Sequence, residues 1–174
     1  MNDKILAALN DQVWAEFVAF YTYLSMSAWL EANDWPGFAQ WMRQHSAEEQ
    51  MHAMKIYDFI NERNGKVALQ AIDQPPTEFN SVQEVFETAL EHERHVTARI
   101  NDIYRLAQEE GDYPTQVLME WFINEQVEEE KIVEDALVMV KRAGDNPFQL
   151  MYVDQIIGQQ AAAGGEAAGG EAPA

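Results

Sequence analysis

The chain has no cysteine. That excludes disulfides and every thiolate metal site, leaving histidine and carboxylate as its strong metal ligands. Positive charge is scarce too, with 11 Lys and Arg against 30 Asp and Glu for a formal charge of -19. This balance offers no electrostatic footprint for nucleic acid and favours the attraction of cations. No window approaches the roughly 18 apolar residues of a membrane helix, and the opening MNDKILAALNDQ lacks the basic region and apolar run of a signal peptide. The expectation is a cytoplasmic protein with neither membrane nor nucleic acid as partner. What is present is globular: 174 residues, 47% of them apolar, with five Trp, enough for one domain with a full core.

Four long segments carry helical periodicity between recognisable stop signals. The first runs from about Asp3 to Ala32 and ends at Asn33-Asp34; the second starts near Pro36 and stops at Asn64-Gly65, where glycine is expected to take the left-handed cap. The third opens on Ser81-Val82-Gln83-Glu84, a capping box, and closes at Gly111; the fourth spans Pro114 to Gly144. A shorter fifth, FQLMYVDQII, follows Asn146-Pro147. After Gly158 the composition collapses to Ala, Gly, Glu and one Pro, so residues 1–158 are expected to form the folded unit and 159–174 a flexible tail.

Loop lengths restrict the topology. Short connections make helices one and two, and three and four, antiparallel neighbours. The segment from Gly65 to Asn80 can extend roughly 50 Å at about 3.3 Å per residue, whereas a helix of about 29 residues is roughly 43 Å long. It can therefore cross the whole bundle and set helices two and three parallel.

Alternating steps of three and four trace one seam on each helix. They are Leu9, Val13, Glu16, Phe20, Tyr23, Ser27, Leu30; then Phe38, Met42, His45, Glu49, His52, Ile56, Phe59; then Val82, Phe86, Ala89, Glu93, Val96, Ile100, Ile103; then Met119, Phe122, Gln126, Glu129, Val133, Ala136, Val140. Each seam is broken by polar residues near its middle, and counted from the nearest turn these breaks share one level to within about one helical turn, about 5.4 Å. An unpaired buried carboxylate costs several kcal/mol, and four together would erase a typical stability of about 5–15 kcal/mol. Two divalent cations would neutralise the four carboxylates. Such a site combines Glu from some helices with Glu-x-x-His from others. Glu49-x-x-His52 fits that pattern once, and helix four offers Gln126-x-x-Glu129 instead, so two metal positions should be unequal. Tyr23, Trp121 and the eight Met read as packing, His92 and His95 as surface residues without a role. Glu48, Glu125 and Glu128 lie beside the seams and fit a solvated acidic face as well as a site. A metal-free scaffold whose mid-seam acids specify register is the rival reading, and a rubrerythrin-like oxidase a third, though without cysteine for a rubredoxin centre.

Glu16, then EEQMH at 48–52, Glu91-His92-Glu93-Arg94, and NEQVEEE at 124–130 are similar to the non-haem bacterial ferritins over roughly Leu6 to Gln159. The resemblance implies an all-α, ferritin-like four-helix bundle with one long crossover loop and a short fifth C-terminal helix. It implies an iron-storage protein whose di-iron ferroxidase centre sets Glu16, Glu49 and His52 around one iron and Glu49, Glu93 and Gln126 or Glu129 around the other. Glu49 would bridge. Glu48, Glu125, Glu128 and Glu129 would form an accessory third iron site, with Tyr23 beside the centre. Fe(II) and O2 or peroxide would be the reactants, and twenty-four subunits would form a hollow shell. Bacterioferritins carry a second Glu-x-x-His on helix four and a haem-ligating Met after the bridging Glu; Glu129 and Gln50 stand here instead, so no haem is expected.

Overall fold

The computed structural model describes residues 1–168. Helix α1 spans Asp3–Ala32, α2 Pro36–Glu62, α3 Val82–Glu109, α4 Tyr113–Ala143 and α5 Pro147–Ala168, with no strand among the described residues. Three starts are capped from within: Asn2 accepts from the Ile5 N–H, Ser81 from Glu84 and Asp112 from Thr115. Each satisfies a donor that has no partner in the first helical turn. Glu84 reaches back to the Asn80 N–H rather than to that of Ser81, one residue before the reciprocal partner that the Ser-x-x-Glu spacing predicts.

The turn after α2 differs from expectation. Asn64 holds the left-handed conformation, with φ 56°, rather than Gly65. Asparagine tolerates that region among non-glycine residues. Gly65 is needed for closeness instead, because a Cβ there would come within 2.9 Å of Ile60 Cγ2 and 2.6 Å of Met1 Cε.

Hydrogen bonds trace the crossover along α1. Asn10 joins Lys66 and Ala68, the Trp14 indole donates to the Ala71 carbonyl, Ser25 donates to the Pro76 carbonyl, and Trp29 meets Phe79 edge-on. The loop thus climbs from the N-terminal end of α1 to its C-terminal end. It therefore delivers α3 at the same end where α2 begins, and the two run parallel as the loop length predicts.

Helix α5 departs most from the sequence reading. It continues through Ala168, ten residues past the Gly158 boundary at which a flexible tail is expected. Alanine supplies the propensity, and Ala161 is buried in the core. Of the expected tail, 169–174 lie outside the described residues. Helix α5 also completes α2: Trp35 gives that helix no side-chain cap, and the Asp154 carboxylate accepts from Gly37 N at 3.1 Å and Phe38 N at 2.7 Å. Gly37 and Gly158 allow the approach, since a Cβ at Gly37 would stand 2.0 Å from the Asp154 carbonyl oxygen and one at Gly158 2.8 Å from Gly37 Cα.

The core comes in two blocks. One holds Tyr23, Met26, Phe38, Phe86 and Val133 toward the α1–α2 turn; the other holds Ile5, Leu9, Ile56, Ile100 and Met119 at the opposite end. Between them lies a buried polar layer of Gln12, Glu16, His45, Glu49, His52, Glu93, Gln126 and Glu129. The seams of α3 and α4 are buried at every position named from sequence, whereas Phe20 on α1 and Phe59 on α2 are half-buried.

Candidate metal centre

The polar layer resolves into two ligand clusters. Glu16 from α1 and Glu49 and His52 from α2 each offer one ligand atom, all within 4.8 Å of one another. His45 and Glu48 from α2 and Glu129 from α4 do the same. Four helices carry the layer because the 3.6-residue repeat turns Glu49 and His52 inward together, one turn beyond His45.

Within the first cluster one oxygen of each carboxylate is free. Glu16 Oε1 accepts from Gln12 Nε2 at 2.8 Å, while Glu16 Oε2 and Glu49 Oε2 are buried without a hydrogen-bond partner. His52 Nδ1 lies 3.5 Å from Glu49 Oε2, and the imidazole is held edge-on to Trp121 and Phe122. Burial, then the neighbouring Glu49 carboxylate, pushes Glu16 well above the usual carboxylate range; burial and the charge of Glu93 do the same to Glu49.

Glu93 on α3 is differently placed. Its Oε1 accepts a short hydrogen bond from the Tyr23 hydroxyl, and its Oε2 accepts from Gln126 Nε2 at 3.1 Å. Gln126 Nε2 also faces the Glu93 carbonyl at 3.3 Å and Thr97 Oγ1 at 3.3 Å, so the amide presents its donor to Glu93. Burial pushes Glu93 up to about 7, against the lowering exerted by Tyr23 and Gln126. Burial and Glu93 together push Tyr23 well above its ordinary value. Tyr23 is thus part of this polar layer as well as of the packing, its ring stacked on His45.

The second cluster opens onto a cavity of about 860 Å³ between α2 and α4, lined by His45, Glu48, His52, Glu125, Glu128 and Glu129, with Ala161 of α5 also on its wall. His45 Nδ1 stands 3.2 Å from Glu129 Oε2 and 3.3 Å from Glu48 Oε2. The Glu129 oxygen still has no aligned hydrogen-bond donor, so its contact with His45 is one of charge and proximity. Burial works against a protonated His45, but the contact with Glu129 and the charges of Glu129 and Glu48 outweigh it and raise the imidazole. Burial likewise acts to raise Glu129, yet His45 prevails and holds it below its ordinary value. Burial and Glu128 raise the half-buried Glu125.

Several sequence assignments therefore divide. Glu16, Glu49 and His52 are brought together; Glu93 and Gln126 pair with each other; Glu129 stands with His45 and Glu48, while Glu125 and Glu128 line the same cavity outside that cluster. His45, named from sequence only as a member of the second helix's seam, belongs to the second cluster. His92, read as a surface residue, is half-buried edge-on to Tyr23 with Nε2 unpartnered, and burial with the charge of His95 pushes it down to about 4. Gln12 and Arg99 escaped sequence reasoning, although a glutamine one turn before a seam acid was a visible signal.

Fold and site define a helical bundle with carboxylate and imidazole groups in its core that could hold metal. The Ferritin-like domain family matches residues 6–143. The chain belongs to the ferritin family. A bacterial non-heme ferritin of Staphylococcus saprophyticus is 40% identical over 155 residues, covering 89% of this chain and 93% of that protein. One from Staphylococcus aureus is 34% identical over 158 residues, covering 91% and 95%. Among solved structures, an open-pore ferritin from the archaeon Archaeoglobus fulgidus superposes with a TM-score of 0.89 at 38% identity, over 91% of this chain and 98% of that one.

Proposed function

We propose that this protein oxidises Fe(II) at the buried polar layer with O2 or peroxide and stores the resulting Fe(III) as mineral inside a multi-subunit shell. One observation carries this reading: three buried carboxylate oxygens, on Glu16, Glu49 and Glu129, lack any hydrogen-bond partner among the described residues. A scaffold that used these acids for register alone would leave that desolvation cost unanswered, whereas a hard divalent cation answers it and oxygen with one imidazole suits iron. Family membership supports the same conclusion.

In this reading Fe(II) is the substrate. Glu16, Glu49 and His52 bind the first ion, and Glu93 with Glu49 and Glu129 the second, Gln126 standing beside it. Each Fe(II) yields one electron, so a pair supplies the two that take O2 to hydrogen peroxide, or hydrogen peroxide to water. The first position fills first, because Glu16 and Glu49 each keep an unpartnered Oε2 there while both oxygens of Glu93 already accept hydrogen bonds.

Glu129 is oriented toward His45 and Glu48, on the side of the open cavity. It is placed to hand oxidised iron from the second position to that cavity, where Glu125 and Glu128 add charge. A Glu129→Ala protein should therefore slow turnover after the first oxidation more than the first oxidation itself. Rapid mixing with small and large Fe(II) additions reads both phases, and equal slowing would rule the hand-off out.

Assembly follows from α5. Ile157 is buried within the chain, but Phe148, Met151 and Tyr152 are exposed, an apolar face that neighbouring subunits would cover. Light scattering at neutral pH should return a large homo-oligomer, twenty-four subunits in this family's shell. A monomer would count against storage.

A further inference from the structure

The Glu16 carboxylate is held from behind. Gln12, itself fully buried, donates from Nε2 to Glu16 Oε1 at 2.8 Å, and the Gln12 oxygen accepts from Arg99 Nε at 3.1 Å. Arg99 comes from α3 and is anchored in turn by the Asp11 carbonyl, which accepts from its Nη2 at 2.9 Å. A guanidinium can only donate, so it fixes which end of the Gln12 amide faces α3 and hence which end faces Glu16. The relay commits Oε1 and leaves Oε2 buried, unpartnered and beside Glu49 and His52.

We propose that Gln12 and Arg99 are positioning residues that make Glu16 a one-oxygen ligand of the first metal position. The inference rests on the proposed metal site and adds a supporting layer to it. Hydrogen bonds to a ligating carboxylate fix its orientation, and losing such a partner weakens metal binding about 10–100-fold. Without the Gln12 donor, Oε1 is free to join Oε2 on the metal, so both affinity and coordination number change. Arg99 acts one step further out and should matter less.

The test is Co(II) binding to the intact assembled protein, followed by visible absorption, whose band shape and intensity report coordination geometry. The parent, Gln12→Met, Arg99→Met and Arg99→Lys are compared over the first equivalent. Gln12→Met should bind about 10–100-fold more weakly with an altered spectrum. Arg99→Met should show a smaller loss, and Arg99→Lys, which keeps a donor for the amide oxygen, should recover toward the parent. A purely structural role would lower stability and leave the Co(II) spectrum alone. Parent-like affinity and spectrum in Gln12→Met overturn the inference; should that variant fail to assemble, equal affinities for Arg99→Met and Arg99→Lys do so. A parent that binds no Co(II) overturns the metal site itself, which separates the two failures.

Discussion

A Glu49→Ala protein should oxidise Fe(II) aerobically about 100-fold more slowly than the parent, or worse, at an exponent set by the loss of a ligand rather than of its support. Glu49 stands at the centre of the layer. It shares the first cluster with Glu16 and His52, and the charge of Glu93 raises its carboxyl from the other side. In the proposed function it serves both metal positions, so its removal should strip both at once. Ferric absorbance after mixing measures the rate, and Glu128→Ala, on an exposed part of α4, should keep the initial rate. Oxidation by Glu49→Ala within twofold of the parent contradicts the assignment.

The metal-free Glu49→Gln protein, by contrast, should be more stable than the parent. Glutamine keeps the shape of the side chain and removes a buried carboxylate crowded by the charges of Glu93, Glu129 and Glu48. Replacing buried ion pairs with well-packed apolar residues of similar volume is neutral or gains about 1–4 kcal/mol, and a gain at the lower end of that range is expected for this single neutralisation. For a chain of this size each 1 kcal/mol moves the midpoint by about 2–4 °C. Saturating Co(II) should reverse the order, because a ligand at 100 times its Kd stabilises its binder by about 2.7 kcal/mol and the variant has lost the site. Thermal or urea unfolding, with chelator and then with metal, checks both halves. A parent that is the more stable in chelator means that the acids stabilise the fold unaided, as the scaffold reading requires.

This opposition between stability and binding explains why so much was legible in the sequence. Apolar periodicity located the helices, and a glutamate in that periodicity is conspicuous because nothing in folding alone favours it. Hence the mid-seam breaks at Glu16, Glu49, His52, Glu93, Gln126 and Glu129 reappear as the polar layer between two apolar blocks. Strict steps of three and four follow a 3.5-residue repeat, however, and drift against a 3.6-residue helix. Phe59, at the end of its seam, accordingly sits half out of the core while Ile60 is fully buried; Phe20 lies mid-seam, where its neighbour Ala19 takes the buried position. Partners set by tertiary approach were hidden. Asp154 caps α2 from more than a hundred residues away, Arg99 orients Gln12 across helices, and Glu129 turns toward His45 rather than Glu93. Composition also misjudged 159–168, where alanine continues a helix once Ala161 has something to pack against.

The central claim is that four helices place carboxylates and one histidine in the core to hold metal. Anomalous diffraction from crystals soaked in Fe(II) without oxygen, or in Co(II), tests it most directly. The strongest peak in each subunit should lie among Glu16, Glu49 and His52, with a weaker one on the Glu93 side of Glu49. Peaks confined to exposed acids, with Glu16, Glu49 and His52 bare at saturating metal, would contradict it.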